Sequence, residues 1–204
     1  MLVPEIILAS ASPRRAALLA QVGLTFRLVP STLDENGAWS GGPGEDHAGR
    51  ARHLARAKAQ EVAARVGRGL VIGADTIVVC EGIAYGKPRD AGEAKDILLH
   101  LAGRTHQVTT GVVVVEAETG RAEVASAVTA VRMRSFGPIE VAAYVATGEP
   151  LDKAGAYAIQ GRGALLVEGI DGDYSTVVGL PLPTLVRLLQ RFGLDVWKAV
   201  RTHS

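Results

Sequence analysis

Hydrophobic residues recur along the chain in two patterns that predict alternating strands and helices. Runs rich in β-branched residues, or alternating between apolar and polar positions, predict strands at 5–9, 26–29, 70–79, 107–115, 122–132 and 164–170. Helical stretches are predicted at 13–22, 45–66, 91–102, 138–147 and 181–192. Each of them is followed by glycine, the residue that most often ends a helix. The sequence EAETG at 116–120 predicts a hairpin turn.

This order of elements mixes strand–helix alternation with one long central hairpin. The mixture favours an α/β protein whose sheet is mixed and flanked by helices. A chain of 204 residues fits one large domain or two small lobes, and no segment reads as a linker. We therefore expect one domain over residues 1–204, and if it has two lobes, the chain crosses between them more than once.

Charge and cysteine content narrow the partners and the compartment. The net charge of +1 supplies no general field for nucleic acid or a membrane surface, so we expect neither as a partner. Cys80, the single cysteine, lies in an apolar run and is predicted to be a buried thiol. A reducing cytoplasm fits this content. The start of the chain has no basic region before its apolar residues, and no segment approaches ~18 apolar residues, so we expect neither export nor a membrane anchor.

Several common catalytic motifs are absent from the sequence. The chain has neither the G-x-x-x-x-G-K-[ST] loop nor the G-x-G-x-x-G fingerprint. Its five histidines show no H-E-x-x-H spacing, and no G-x-S-x-G elbow occurs.

The first candidate site is the sequence SASPRR at 10–15, where a strand runs into a helix. Ser12 suits the N-cap and Pro13 the first helical turn. Arg14 and Arg15 then stand where the helix dipole disfavours cations by about 0.3–1 kcal/mol each. An anion bound by the free N–H groups, the hydroxyls of Ser10 and Ser12, and the two guanidinium groups would remove this penalty. The alternative is that both arginines extend into solvent.

The second candidate is the pair Asp75 and Thr76, which interrupts an apolar strand. A buried carboxylate is costly unless it is paired, hydrogen-bonded or bound to a metal, so Asp75 is a candidate general base or ligand of a hard cation. The alternative is that Asp75 caps a bend beside Gly73 and has no chemical role.

Lysines and one acidic loop complete the candidates. Five lysines stand against seventeen arginines, and a retained lysine hints at a need for a compact charge. Lys58 lies on the long predicted helix, Lys87 in the sequence YGKPRD and Lys153 in GEPLDKAGAYAIQG. Asp34 or Glu35 is a candidate carboxylate ligand for a metal. From the residues alone, these features describe a site for a phosphate ester or a nucleotide.

Six segments together resemble the Maf family, the septum-formation-inhibitor-like nucleoside triphosphate pyrophosphatases. They are LASASPRR, GADTIV, GKP, HQVTTGV, GEPLDKAGAYAIQGRGA and GDYSTVVGLPL, and the resemblance runs from residue 8 to about residue 189. It implies an elongated α/β fold similar to that of inosine triphosphate pyrophosphatases, with two lobes around a deep cleft. It also implies metal-dependent hydrolysis of a nucleoside triphosphate between its α and β phosphates, and a homodimer.

The resemblance also assigns roles to individual residues. It implies that Asp75 accepts the proton of the attacking water, and that Arg14, Thr76 and Gln160 select the substrate. Lys58 and Lys87 match basic residues of the cleft, and Glu35, with Asp34 as the alternative, matches an acid that holds Mg²⁺ or Mn²⁺ together with Asp75. The roles expected of these residues are catalytic for Asp75, Lys58 and Lys87; substrate-binding for Ser10, Ser12, Arg14, Arg15, Thr76 and Gln160; and metal-binding for Glu35 and Asp75.

The sequence DKAGAYAIQG is similar to the branch of the family that acts on dTTP and UTP. The amide of Gln160 has a donor and an acceptor, which match the N3–H and O4 of thymine or uracil. Two alternatives remain at this point: a pyrophosphatase acting on 7-methyl-GTP, and a nucleotide-binding regulator of cell division without catalytic activity.

Overall fold

A computed structural model describes residues 4–33 and 46–201 of the chain. The chain divides into two compact units, each assembled from separate segments. It passes from one unit to the other after residues 75, 109, 127 and 178. Unit 1 consists of Met1–Asp75, Thr110–Ala127 and Gly179–Ser204, and unit 2 consists of Thr76–Thr109 and Val128–Val178.

A mixed sheet of seven strands runs through the described residues, in the order β2-β1-β3-β5-β6-β7 with β4 paired to β3. β1 is parallel to β2 and β3, whereas β3–β4 and β6–β7 are antiparallel. The predicted mixed α/β fold is therefore confirmed. The strands are β1 (Ile6–Leu8), β2 (Arg27–Leu28), β3 (Leu70–Cys80), β4 (Ile83–Tyr85), β5 (Thr105–Glu116), β6 (Ala122–Met133) and β7 (Val167–Asp171).

Helices account for most of the remaining structure. Among those in the described part of the chain, none combines the length and the apolar character that crossing a membrane requires. Three short 3-10 helices lie at Glu149–Asp152, Ala154–Ala156 and Gly161–Leu166. The α-helices are α1 (Pro13–Gln21), α2 (His47–Val66), α3 (Ala91–Leu101), α4 (Pro138–Val145), α5 (Tyr174–Val178), α6 (Leu182–Arg191) and α7 (Val196–Arg201).

Unit 1 packs the long helix α2 very closely against the sheet. A Cβ atom added at Gly73 of β3 would lie 2.3 Å from the carbonyl oxygen of Ala55, and one added at Gly111 of β5 would lie 2.4 Å from that of Ala51. Real Cβ atoms do not approach backbone this closely, so glycine is needed at both positions. Small residues on the helix and the strands thus set the distance between α2 and the sheet.

Unit 2 has its own apolar core, formed by α3, α4 and the parts of β3, β5 and β6 that belong to this unit. Leu98, Leu101 and Met133 are fully buried in it. Cys80 is also fully buried, as the sequence predicts. Desolvation of its thiolate raises the pKa of the thiol.

The element predictions differ from the structure mainly in the last third of the chain. The strand predicted at 164–170 begins at Val167, because residues 161–166 form a 3-10 helix. The short elements β4, α5 and α7 were not predicted, since elements of three to six residues give only a weak periodic pattern. The turn predicted at 116–120 is confirmed, with Glu116 N–H donating to the Arg121 carbonyl at 2.9 Å.

Candidate functional site

Helix α1 begins after Ser12, as predicted, but the Ser12 side chain makes no capping hydrogen bond. Its backbone N–H instead donates to Ser10 Oγ at 3.2 Å. Ser12 is therefore the N-cap residue, as predicted, but the hydroxyl that orders the backbone at this end of the helix is that of Ser10, which is 6% exposed.

The two adjacent arginines at the start of α1 have different surroundings. Arg15 Nε donates to the carbonyl oxygen of Gly179 at 2.7 Å, and its Nη1 donates to Ser10 Oγ at 3.2 Å. The Arg14 side chain is half-buried and forms no hydrogen bond or ion pair with a described residue. These bonds hold the Arg15 side chain in place, whereas no described residue bonds to that of Arg14.

Lys58 and Asp75 form a buried ion pair in unit 1. The distance from Lys58 Nζ to Asp75 Oδ1 is 2.7 Å, and each residue is 7% exposed. Asp75 lies within β3 and not at a bend, so the interpretation of Asp75 as the cap of a bend beside Gly73 is wrong. Each charge compensates the burial of the other, and removing either partner of such a pair typically costs about 3–5 kcal/mol.

The close packing of α2 determines where this pair forms. Lys58 lies one turn along α2 from Ala55, the residue whose carbonyl oxygen approaches Gly73, and Gly73 precedes Asp75 by two positions in β3. Because side chains at i and i+2 of a strand point to the same face, Gly73 and Asp75 both face the helix. The glycine lets the helix approach, and the lysine then reaches the carboxylate.

Three further predicted site residues belong to unit 2. Thr76 follows Asp75 in β3 and is half-buried. Lys87 is exposed between the short strand β4 and α3. Gln160 is half-buried, and its side chain makes no hydrogen bond with a described residue. It immediately precedes Gly161, which has a positive φ of 66°.

Acidic side chains that could hold a divalent cation are few in the part of the chain that the structure describes. No group of three or more His, Cys, Asp or Glu side chains that could hold a metal ion occurs within 4–33 and 46–201. Asp75 offers a carboxylate of the kind that Mg²⁺ and Mn²⁺ bind, but its Oδ1 already accepts from Lys58. Glu35 and its alternative Asp34 lie outside the described residues.

Unit 2 also holds a polar network that the sequence analysis did not find. His106 Nε2 lies 2.7 Å from the Tyr157 hydroxyl, and both side chains are buried. Burial lowers the pKa of His106 to about 4 and raises the pKa of Tyr157. A lone histidine in a strand carries no pattern that reveals such a partner 51 positions away.

Glu149 was also missed, and it anchors the segment that carries Gln160. Its Oε2 accepts from Arg162 N–H at 3.1 Å, and its Oε1 accepts from Gly163 N–H at 3.0 Å and from the Tyr144 hydroxyl at 2.9 Å. Burial alone would raise the pKa of Glu149, but these hydrogen bonds, together with the charge of Lys153, lower it. The motif GEPLDKAGAYAIQGRGA contains this glutamate, but no spacing rule links it to Gln160.

The fold and the buried ion pair define an α/β protein with a desolvated acid on a central strand. Residues 5–192 match the family model described as Maf-like protein. The chain therefore belongs to the Maf family.

Similar curated proteins cover nearly the whole chain. A protein of Moorella thermoacetica named dTTP/UTP pyrophosphatase is 55% identical over 196 residues, which are 96% of this chain and 99% of that protein. A protein of Geotalea uraniireducens with the same name is 50% identical, covering 93% of this chain and 95% of its own length. A third, from Syntrophomonas wolfei, also has this name and is 45% identical, covering 93% and 98%.

Proposed function

We propose that this protein is a nucleoside triphosphate pyrophosphatase that hydrolyses dTTP and UTP to the nucleoside monophosphate and pyrophosphate. The observation that carries the proposal is the buried Lys58–Asp75 pair, an acid desolvated on a strand that is otherwise apolar. Relatives at 45–55% identity over nearly their full lengths are named dTTP/UTP pyrophosphatases, which supports the choice of substrate.

The reaction assigns Asp75 the role of general base. Its carboxylate takes a proton from the water that attacks the α-phosphorus, while the bond from that phosphorus to the oxygen bridging to the β-phosphorus breaks and pyrophosphate leaves. Lys58 holds Oδ1 at 2.7 Å and thereby fixes the orientation of the carboxylate. Positioned general bases contribute roughly 10²–10⁴-fold to rate.

The charge of the triphosphate, about four negative units, needs fixed cations because phosphoryl transfer depends mainly on positioning and charge stabilisation. Arg14 suits this role because it has no ion pair within the described residues. Arg15, Ser10 and Ser12 shape the backbone at the start of α1, and Lys87 adds an exposed ammonium group in unit 2.

Recognition of the base is assigned to Gln160, with Thr76 assisting. The amide of Gln160 matches the N3–H and O4 edge of thymine and uracil. Its half-buried side chain makes no hydrogen bond with a described residue, so no described residue occupies the carbonyl oxygen or the NH₂ group of the amide. A site of this kind disfavours a base that leaves the half-buried amide unpaired.

A divalent cation, Mg²⁺ or Mn²⁺, and a second copy of the chain are further parts of this proposal. Asp75 and Glu35 are the residues proposed to hold the cation. When bound, such an ion neutralises phosphate oxygens and acidifies water. We also propose a homodimer and a cytoplasmic location, where the free, buried thiol of Cys80 fits the reducing conditions.

A nucleotide panel tests the proposal. The purified protein is incubated with dTTP, UTP, CTP, GTP, ATP and 7-methyl-GTP, with Mg²⁺, with Mn²⁺ and with excess chelator. We expect monophosphate and pyrophosphate from dTTP and UTP, and none with chelator. Release of orthophosphate in place of pyrophosphate, faster turnover of 7-methyl-GTP, or binding of dTTP without turnover would overturn it.

A further inference from the structure

We infer that Glu149 is a positioning residue for base selection: it holds the Gln160 loop, residues 157–163, closed, so that Gln160 stands at a fixed place. This inference rests on the proposed function, because it concerns how the same site distinguishes one base from another. Glu149 itself is not assigned any contact with the nucleotide.

Hydrogen bonds hold the Gln160 loop both before and after Gln160 in the chain. After Gln160, the Glu149 carboxylate accepts from the N–H groups of Arg162 and Gly163 at 3.1 and 3.0 Å. Before Gln160, Ala158 N–H donates to the Tyr144 hydroxyl at 3.3 Å. Since that hydroxyl in turn donates to Glu149 Oε1 at 2.9 Å, one carboxylate connects both ends of the loop.

Two glycines show how tightly the loop closes around this carboxylate. A Cβ atom at Gly161 would lie 3.0 Å from Glu149 Oε2, and Gly161 also has a positive φ of 66°. A Cβ atom at Gly163 would lie 2.3 Å from the Ala158 carbonyl oxygen and 2.6 Å from the Tyr144 hydroxyl. The loop can therefore fold back on itself only with glycine at these positions.

A further bond fixes the start of the loop. Tyr157 is buried, and its hydroxyl lies 2.7 Å from Nε2 of the buried His106 on β5. The rings of the two residues also meet edge to face, with centroids 5.3 Å apart. The backbone on either side of Gln160 is thus anchored, while the Gln160 side chain itself makes no hydrogen bond with a described residue.

The need for such anchoring follows from the chemistry of the bases. The O4 and N3–H of uracil and the O6 and N1–H of guanine offer an amide the same pattern of acceptor and donor. Hydrogen bonding by Gln160 alone therefore cannot separate UTP from GTP. The two edges lie at different distances from the ribose, because guanine has a second ring between the ribose and the edge that carries O6 and N1–H. An amide at a fixed place selects by that distance, and an amide on a loose loop does not.

The test compares kcat/KM for UTP and GTP, which share the ribose and the triphosphate. In Glu149→Gln, one acceptor oxygen becomes an NH₂ group that faces N–H donors, so the loop loosens. We expect the UTP:GTP ratio of kcat/KM to fall at least tenfold, through a higher KM for UTP, with kcat for UTP changed less than threefold. Adding Glu149→Gln to Gln160→Ala should change the ratio no further.

The matched control is Glu140→Gln. Glu140 is also a glutamate of unit 2 that accepts from a backbone N–H group, that of Gly137, but it does not contact the Gln160 loop. We expect its UTP:GTP ratio to equal that of the wild type. If Glu149→Gln does not fold, as judged by circular dichroism, Tyr144→Phe serves in its place, since it removes the hydroxyl that joins Glu149 to Ala158. We expect it to lower the ratio at least threefold.

The outcomes separate the two proposals. A wild type that hydrolyses neither dTTP nor UTP overturns the proposed function, and the inference falls with it. A wild type that prefers UTP, together with a folded variant whose ratio stays within twofold of the wild type, overturns the inference alone. Equal losses for UTP and GTP, or a further drop in the double variant, also overturn it, because both indicate a general structural role.

Discussion

Units 1 and 2 each hold a carboxylate in place, buried in the case of Asp75 and half-buried in the case of Glu149, and they use different partners to do so. In unit 1, Asp75 is paired with the ammonium group of Lys58. In unit 2, Glu149 accepts three hydrogen bonds from two backbone N–H groups and a tyrosine hydroxyl. Donors on both oxygens stabilise the ionised form of Glu149 and lower its pKa. The Glu149 carboxylate thus anchors the backbone that it contacts, whereas Lys58 orients the Asp75 carboxylate through Oδ1.

The two carboxylates also differ in how the chain brings each of them to its partners. Lys58 meets Asp75 because α2 packs on glycine in the sheet, over 17 positions of sequence. Glu149 meets Arg162 and Gly163 within 14 positions, through a loop that folds back on itself. The first arrangement depends on the packing of a whole layer and the second on local backbone conformation, so we expect mutations to affect them differently.

The largest expected effect is on catalysis in Asp75→Asn. The amide retains an oxygen for Lys58 but cannot take the proton of the attacking water, so we expect pyrophosphate release to fall by about 10³-fold. Initial rates with dTTP and UTP measure it. The control Glu5→Gln removes an exposed pair with Arg27 and should leave the rate unchanged. A rate within tenfold of the wild type would remove Asp75 from the proposed mechanism.

Gly73→Ala should break the packing that brings Lys58 to Asp75. The new methyl group would lie 2.3 Å from the carbonyl oxygen of Ala55, so α2 must shift. We expect a loss of about 1–3 kcal/mol in the free energy of unfolding, measured by denaturant titration. The control is Gly86→Ala, where nothing lies within 4 Å of the added Cβ. Equal stabilities of the two variants would contradict the close-packing account.

The free energy of unfolding should decrease as the pH is lowered through the range in which His106 takes up a proton. Its pKa of about 4 in the folded protein lies below the ordinary value of 6.5, so the unfolded chain binds the proton first as pH falls. The stability associated with neutral His106 is fully present above pH 6.5 and is lost as the pH falls from 6.5 to 4. The loss in the free energy of unfolding amounts to about 3 kcal/mol. Urea unfolding at a series of pH values measures it. His106→Gln should weaken this dependence, and identical pH profiles would contradict the assignment.

The smallest effect should separate the two arginines of α1. Arg15→Lys loses the donor geometry that serves Gly179 and Ser10, so we expect the free energy of unfolding to fall by about 1–2 kcal/mol. Arg14→Lys should change it by less than about 0.5 kcal/mol and raise the KM for UTP instead. Thermal unfolding and steady-state kinetics measure the two effects. A larger loss of stability for Arg14→Lys would reverse the roles assigned here.

Much of the fold was predictable because long elements repeat their pattern many times. The strands β3, β5 and β6 and the helix α2 each have ten or more residues, and the sequence places all of them close to their observed bounds. Short elements such as β4 and α7 were missed, because three to six residues repeat a pattern too few times. For the site, the cost of burying an isolated acid singled out Asp75, and the structure shows its partner to be Lys58.

Residue types and periodicity alone predicted a mixed α/β protein with an acid on a buried strand. The activity was predicted from the resemblance of six segments to the Maf family. Tertiary structure decided which partners those residues have. It separated Arg15, held by the carbonyl of Gly179 across 164 positions, from Arg14 beside it, and it brought Glu149 to the Gln160 loop. The physical reason is that propensity and periodicity are local, whereas the pairing of buried polar groups depends on which distant segments the packing of the core brings together.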